Sequence, residues 1–247
     1  MIKFIPNALT LANLAAGSMG MAFAHVGSYR LAVFMLLAAL VFDFLDGFLA
    51  RLLHAKSPLG AQLDSLADMV SFGLFPAFLL HDFFALAAHD HEYAGLFTIG
   101  GVNAWSIPIF VYVLAVALRL ANFNVSHDQG HSFKGLPSPA AAMFLVGFPA
   151  LYSLGIHFNP FEHPWVDSYA TSVEAMLAAV VLVSALMLVP IPLLSLKFQG
   201  MSFSVNRFRY FLIILSLPVI FFLGFLALQA LVVLYLLLSI IHLSIKS

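Results

Sequence analysis

The sequence predicts an all-α, polytopic membrane helical bundle of about eight transmembrane helices with both termini cytoplasmic, and three observations predict it. Hydrophobic residues make up 63% of the 247-residue chain, charged ones only 9%, and mean hydropathy is +1.04, far from the usage of soluble domains. Eight apolar stretches lie between polar breaks, each near the roughly 20 residues a helix needs to cross the hydrocarbon core. Nine of the ten basic residues fall on alternate connecting segments.

The stretches cover 8–24, 29–53, 64–88, 97–121, 137–157, 171–196, 209–225 and 228–245. Helices are expected because the bilayer offers no water to backbone groups, and the alternating polar residues of a barrel strand are missing. Lys3 followed by an apolar run and Ala22-Phe23-Ala24 has the outline of a secretory signal. Asn7, Thr10 and Asn13 place polar groups where such a signal is apolar, so the segment is expected to be retained. These three residues form a polar stripe on the first helix; capping, with Pro6 near the first turn, is an alternative account of Asn7 and Thr10. Ala12, Ala16 and Gly20 make a small-residue seam for close packing.

Lys3, Arg51, Lys56, Arg119, Lys134, Lys197, Arg207, Arg209 and Lys246 share one side, and only Arg30 falls on the other. Both termini and the loops near 52–63, 122–136 and 197–208 are therefore expected in the cytoplasm, and those at 89–96 and 157–170 outside. The outer sequence His89-Asp90-His91-Glu92 reads as a solvated turn, because consecutive loop residues rarely converge on one ion. The chain has no cysteine, which excludes disulfides and thiolate chemistry, and its net charge of -1 gives no reason to expect a nucleic-acid partner.

Four of the eleven acidic residues stand in one window, Asp43-Phe44-Leu45-Asp46-Gly47-Phe48-Leu49-Ala50-Arg51 and, eight residues on, Gly60 through Asp64 to Asp68. With Asp43 at zero on a helical wheel, Asp46 lies near about 300°, Gly47 about 40°, Ala50 about 340° and Arg51 about 80°. Gly60, Asp64 and Asp68, four apart, follow one another around the next helix by about 40° each. Two helices joined by a short loop pack antiparallel, so the acidic faces can meet. A carboxylate costs at least about 2.5 kcal/mol at the bilayer centre and less toward the interface, so such groups need partners. Arg51 neutralises one at most. Hard oxygen ligands suit Mg²⁺ or Mn²⁺, and four carboxylates would formally balance two such ions. Paired metals clamp a pyrophosphate during an in-line displacement, and Gly47 and Gly60 leave room for a ligand to approach the backbone.

The spacing Asp-x2-Asp-Gly-x2-Ala-Arg-x8-Gly-x3-Asp-x3-Asp, met by Asp43, Asp46, Gly47, Ala50, Arg51, Gly60, Asp64 and Asp68, resembles the signature of the CDP-alcohol phosphatidyltransferases. The resemblance implies a six-helix catalytic core, here 1–200, with 201–247 an added C-terminal transmembrane hairpin. It implies Asp43, Asp46, Asp64 and Asp68 as ligands of Mg²⁺ or Mn²⁺, for which the charge count suggests two ions, and Asp68 as the general base. It also implies a CDP-linked donor near the cytoplasmic face, lined by Asp46, Gly47, Ala50, Arg51 and Gly60, with Asn7 and Thr10 in reach. A homodimer in the plasma membrane of a bacterium or archaeon is part of the same expectation.

Within the family, Pro6-Asn7-x2-Thr10-x2-Asn13, Ser71-Phe72-Gly73-x2-Pro76-Ala77, Leu118-Arg119-Leu120-Ala121-x-Phe123-Asn124 and Lys134-Gly135-Leu136-Pro137-Ser138-Pro139-Ala140-Ala141 are similar to the serine-using members. The implied substrates are CDP-diacylglycerol, from the membrane lipid, and L-serine. Asn122 departs from the pattern, standing where a second arginine is expected. Arg119 and Lys134 remain to hold the acceptor carboxylate or a phosphate. The few basic residues near the motif favour a zwitterionic acceptor over glycerol 3-phosphate or inositol phosphate. An intramembrane-carboxylate ion transporter is the reading outside this class; it predicts midplane acids and internal repeats, whereas the aspartates lie toward one face and no repeat is visible.

Overall fold

The computed structural model describes residues 4–55, 57–87, 98–99, 102–125, 133–158, 164–194 and 203–246. Two helices come first, α1 (Phe4–His25) and α2 (Tyr29–Leu52), packed along their length and joined through Gly27, whose φ of 72° suits the tight reversal. α2 ends as Ala55 N donates to Ala50 O at 3.0 Å, with His54 in the left-handed region at φ 50°.

Ser57 then starts a new helix, its Oγ accepting from Gly60 N at 3.0 Å, with Pro58 in the first turn where its missing N–H is harmless. That helix runs unbroken to Ala87 as α3 (Pro58–Asp68), a π-helical turn (Met69–Leu74) and α4 (Phe75–Ala87). The π turn has an identifiable cause. Pro76 has no N–H for the carbonyl of Phe72, four residues back, and that oxygen accepts instead from the hydroxyl of Tyr112. Phe75 N reaches Val70 O, the longer π-type spacing.

After the two-residue pair β1 (Thr98–Ile99) with β2 (Val102–Asn103), a 3₁₀ segment Ala104–Phe110 leads into α5 (Val111–Val125). A second pair, β3 (Phe133–Lys134) with β4 (Pro192–Leu193), ties the residues before α6 (Ser138–Phe158) to those after α8 (Val173–Leu188). Short α7 (Pro164–Ala170) precedes α8, and the C-terminal hairpin is α9 (Phe203–Leu223) and α10 (Ala227–Lys246). Apart from the two short ladders and the turns between elements, the described residues are helical, as the composition predicts.

Among the described residues four helical runs are long and apolar enough to cross a membrane: Tyr29–Leu52, Pro58–Ala87, Ser106–Val125 and Arg207–Ser244. Ser138–Leu154 and Val173–Leu188 are shorter apolar helices. The predicted boundaries move at several ends, among them the first and seventh stretches, which begin at Phe4 and Phe203 rather than 8 and 209, and three further shifts are informative. The third stretch begins at Pro58 rather than 64, because Ser57 caps it early. The fourth is helical from 104 rather than 97 and continues to Val125, so Asn122 and Asn124 belong to its last turn instead of a loop. The sixth stops at Leu188 rather than 196, because Pro190 and Pro192 cannot continue a helix.

Two apolar clusters fill the bundle. One joins α4, α5, α6 and α8 through Phe83, Phe84, Tyr112, Phe148 and Met176, and takes in Val232 and Tyr235 of α10. The other joins α1, α2, α4 and α6 through Ala16, Leu36, Phe75, Leu79 and Val146. The small-residue seam of α1 centres on Gly17 and Gly20: a Cβ on Gly17 would stand 2.3 Å from Ser71 Oγ and one on Gly20 2.4 Å from Phe75.

Candidate active site

α1 wedges against both α2 and α3, while α2 and α3 make few close backbone approaches of their own. The acidic faces of α2 and α3 meet as expected, through their side chains more than through close backbone approach. Asp43 of α2 and Asp64 and Asp68 of α3 each place a carboxylate oxygen within 4.8 Å of the other two. Three like charges so close in a partly buried site repel, and hard oxygens gathered from two helices are a donor set that could hold a divalent cation. One oxygen of Asp68, Oδ1, is buried without a hydrogen-bond partner, which fits a ligand position.

Asp46 sits beside the trio, 5% exposed, and its Oδ2 accepts from Thr10 Oγ1 at 2.6 Å, with Arg51 in electrostatic reach. The charge-assisted bond fixes α1 to α2 at the edge of the site. Gly47 faces open space: a Cβ there would meet only Arg51 Nη1, at 3.6 Å. Gly60 differs, because a Cβ there would come 3.0 Å from Asn7 Oδ1 and 3.1 Å from Ser57 Oγ. Its small size admits Asn7 of α1 and the Ser57 cap. Ala50 is half-buried and Arg51 exposed one turn from Gly47.

Arg119 of α5 approaches from the other side of the π turn, interacting electrostatically with Asp68. Its Nη1 donates to Ser138 Oγ at 3.4 Å, and its Nε is buried without a hydrogen-bond partner. Lys134 pairs through its backbone with Pro192 in β3–β4; its side chain, like the sequence His89 to Glu92, lies outside the described residues.

Three residues outside the expected ligand and substrate set also stand at the site. Asn124 Nδ2 donates to Ser65 Oγ at 2.9 Å, tying the end of α5 beside Asp64. Asn13 is fully buried, its carbonyl accepting from Ser71 Oγ at 2.9 Å while both amide atoms lack partners. Tyr112 holds the π turn that follows Asp68. The stripe Asn7, Thr10 and Asn13 pointed toward Asn13, and the stretch Leu118 to Asn124 included Asn124 without giving it a role; Tyr112 is indistinguishable by sequence from other helix residues.

The chain matches the CDP-alcohol phosphatidyltransferase family over residues 3–185, from α1 into α8. A CDP-diacylglycerol–serine O-phosphatidyltransferase of Mycobacterium tuberculosis is 30% identical over 195 residues, covering 75% of this chain and 60% of its own length. A protein of the same name from Methanocaldococcus jannaschii is 40% identical over 110 residues, 44% of this chain and 46% of its own. An archaetidylserine synthase of Methanothermobacter thermautotrophicus is 32% identical over 186 residues, 68% of this chain and 72% of its own. The match thus spans three fifths of the length of the mycobacterial relative. The aspartate motif and its gathering of carboxylates fall inside the matched region, and the chain belongs to the CDP-alcohol phosphatidyltransferase family.

Proposed function

We propose that this chain transfers the phosphatidyl group of CDP-diacylglycerol to the hydroxyl of L-serine, giving phosphatidylserine and CMP. The observation that carries the reading is the convergence of Asp43, Asp64 and Asp68 from two helices of the family motif. The serine-specific names of its relatives support the choice of acceptor.

Asp43, Asp64 and Asp68, with Asp46 beside them, would hold Mg²⁺ or Mn²⁺, two ions by charge count. Such ions supply positive charge to the pyrophosphate and to the departing CMP. The open face at Gly47 admits the donor phosphates, with Arg51 adding charge and Asn7, Thr10, Ala50 and Gly60 lining the cytidine side. Arg119, and Lys134 from the ribbon, take the serine carboxylate. Asp68 accepts the proton of the serine hydroxyl, whose oxygen forms the new bond to the phosphorus bearing diacylglycerol as the bond to CMP breaks. No covalent enzyme intermediate is required.

Eight crossings, cytoplasmic termini, a site near the cytoplasmic face of the plasma membrane and a homodimer complete the proposal. The test incubates purified protein with CDP-diacylglycerol, Mn²⁺ or Mg²⁺, and serine, glycerol 3-phosphate or inositol phosphate in turn, and measures CMP. Release with serine is expected. Release only with one of the phosphorylated alcohols refutes the acceptor, and release with none refutes the chemistry.

A further inference from the structure

The two C-terminal helices lie beyond the family match, yet α10 is connected by hydrogen bonds to the acceptor side of the site. Tyr235 and Ser239, one turn apart and both buried, meet the segment that follows α8. Tyr235 Oη donates to Leu194 O at 3.0 Å, and Leu194 N donates to Ser239 Oγ at 3.2 Å. Ser239 Oγ donates in turn to Tyr235 O at 2.7 Å. Both backbone polar groups of Leu194 are thus satisfied by α10, which allows irregular backbone to sit buried in an apolar bundle.

Leu194 adjoins β4, and β4 holds β3 in a two-residue ladder. Beyond β3 the contacts continue: Gly135 N donates to Ile191 O and Leu136 N to Leu186 O, both at 2.9 Å. Gly135 has φ of 79°, and a Cβ there would stand 2.4 Å from Met187 O, so the turn closes only around glycine. Two residues past Leu136, Ser138 opens α6 and accepts from Arg119 at 3.4 Å. Tyr235 is itself within electrostatic reach of Arg119.

We propose that Tyr235 and Ser239 are positioning residues for the acceptor: they fix the β3–β4 ribbon and, through it, the corner where Ser138 orients the Arg119 guanidinium. The inference rests on the assignment of Arg119 to the acceptor under the proposed function. Neither residue touches substrate. Loosening the ribbon lets Arg119 swing, which weakens binding of the acceptor anion and leaves the aspartate cluster and the donor side as they are.

The experiment measures steady-state CMP release by the full-length protein in detergent–lipid micelles, varying serine and CDP-diacylglycerol separately, for wild type, Tyr235→Phe, Ser239→Ala and Gln229→Met. Gln229 is a third buried polar residue of α10, but its Nε2 donates to Phe144 O at 3.2 Å, away from the ribbon. Losing one such bond is expected to raise the serine KM about fivefold in the first two variants, with kcat and donor KM within about twofold. Gln229→Met should lower the thermal midpoint without a selective change in serine KM. An unchanged serine KM in folded Tyr235→Phe and Ser239→Ala overturns the proposal. Equal rises in both KM values overturn it too, as does the same serine-selective rise from Gln229→Met, because each marks general loosening of the bundle. If Tyr235→Phe does not accumulate, Ser239→Ala decides alone. Wild-type release with another alcohol but not serine refutes the acceptor while leaving the positioning role testable with that alcohol's KM. No release with any alcohol refutes both.

Discussion

The first four helices and the last two both bury helix against helix in an apolar solvent, and they do so by opposite means. In α1–α4 the contacts are made by small and polar residues at spaced positions: Gly17 and Gly20 against Ser71 and Phe75, Ser71 to the Asn13 carbonyl, Thr10 to Asp46. In α9–α10 long apolar side chains, such as Ile214, Leu217 and Phe221, remain largely exposed on the outside. Among the contacts described there, Gln229, Tyr235 and Ser239 are the polar groups of α10 that reach the core. Where lipid is as apolar as leucine, apolar content does not tell a packed face from a lipid-facing one. Small and polar residues do, and in the first region they mark packing and chemistry together.

The strongest way to sharpen this contrast is to remove charge from the place where the carboxylates of α2 and α3 meet. Asp68→Asn keeps the shape of the side chain but takes away its capacity to accept a proton, and turnover should fall about 10²- to 10⁴-fold. Binding of CDP-diacylglycerol, followed by equilibrium titration, should survive. Chelation of divalent ions should silence wild type as completely, with activity returning on Mn²⁺ or Mg²⁺. A fully active Asp68→Asn protein would mean that the cluster is a structural charge network and that the first region differs from the last only in how it packs.

The contrast also explains what was legible in the sequence. Asp43, Asp46, Asp64 and Asp68 stood out because charges are rare in such a chain, and helical spacing placed them on facing helices. The packing of α1 against both helices was not legible, because it is a tertiary arrangement that loop length does not reveal. Boundaries failed where caps and prolines override hydropathy: Ser57 starts α3 early, and Pro190 and Pro192 end α8 before the apolar run does. The π turn was written in Pro76, yet its meaning depends on Tyr112, forty residues beyond Phe72, supplying the missing donor to the Phe72 carbonyl. The ties from α10 to Leu194 had no sequence signal at all, since a tyrosine and a serine in an apolar helix look like any others.

A smaller effect is expected at Arg119, which joins the two regions. Arg119→Lys preserves the charge but loses the planar fork that donates to Ser138 and faces Asp68. Serine KM should rise about 10- to 100-fold, the worth of one charge-assisted contact, while donor KM changes little. An equal rise in both would place Arg119 on the donor phosphates and detach the α10 ribbon from acceptor binding.

The mildest and most discriminating change is Thr10→Val, which keeps the shape of the side chain and removes the donor to Asp46 Oδ2. The buried carboxylate loses a 2.6 Å charge-assisted bond. If α1 serves the site, the donor KM should rise about tenfold with serine KM unchanged, and Thr10→Ser should restore it. If α1 serves packing alone, Thr10→Val should lower the thermal midpoint and leave both KM values in place, as Gln229→Met is expected to do on α10. The second result would place Thr10 with the hydroxyls of α10, as a tie between helices, and confine chemistry in the first region to the carboxylates. The first would extend the donor site onto α1, so that one short polar stripe both packs the helix and faces the substrate.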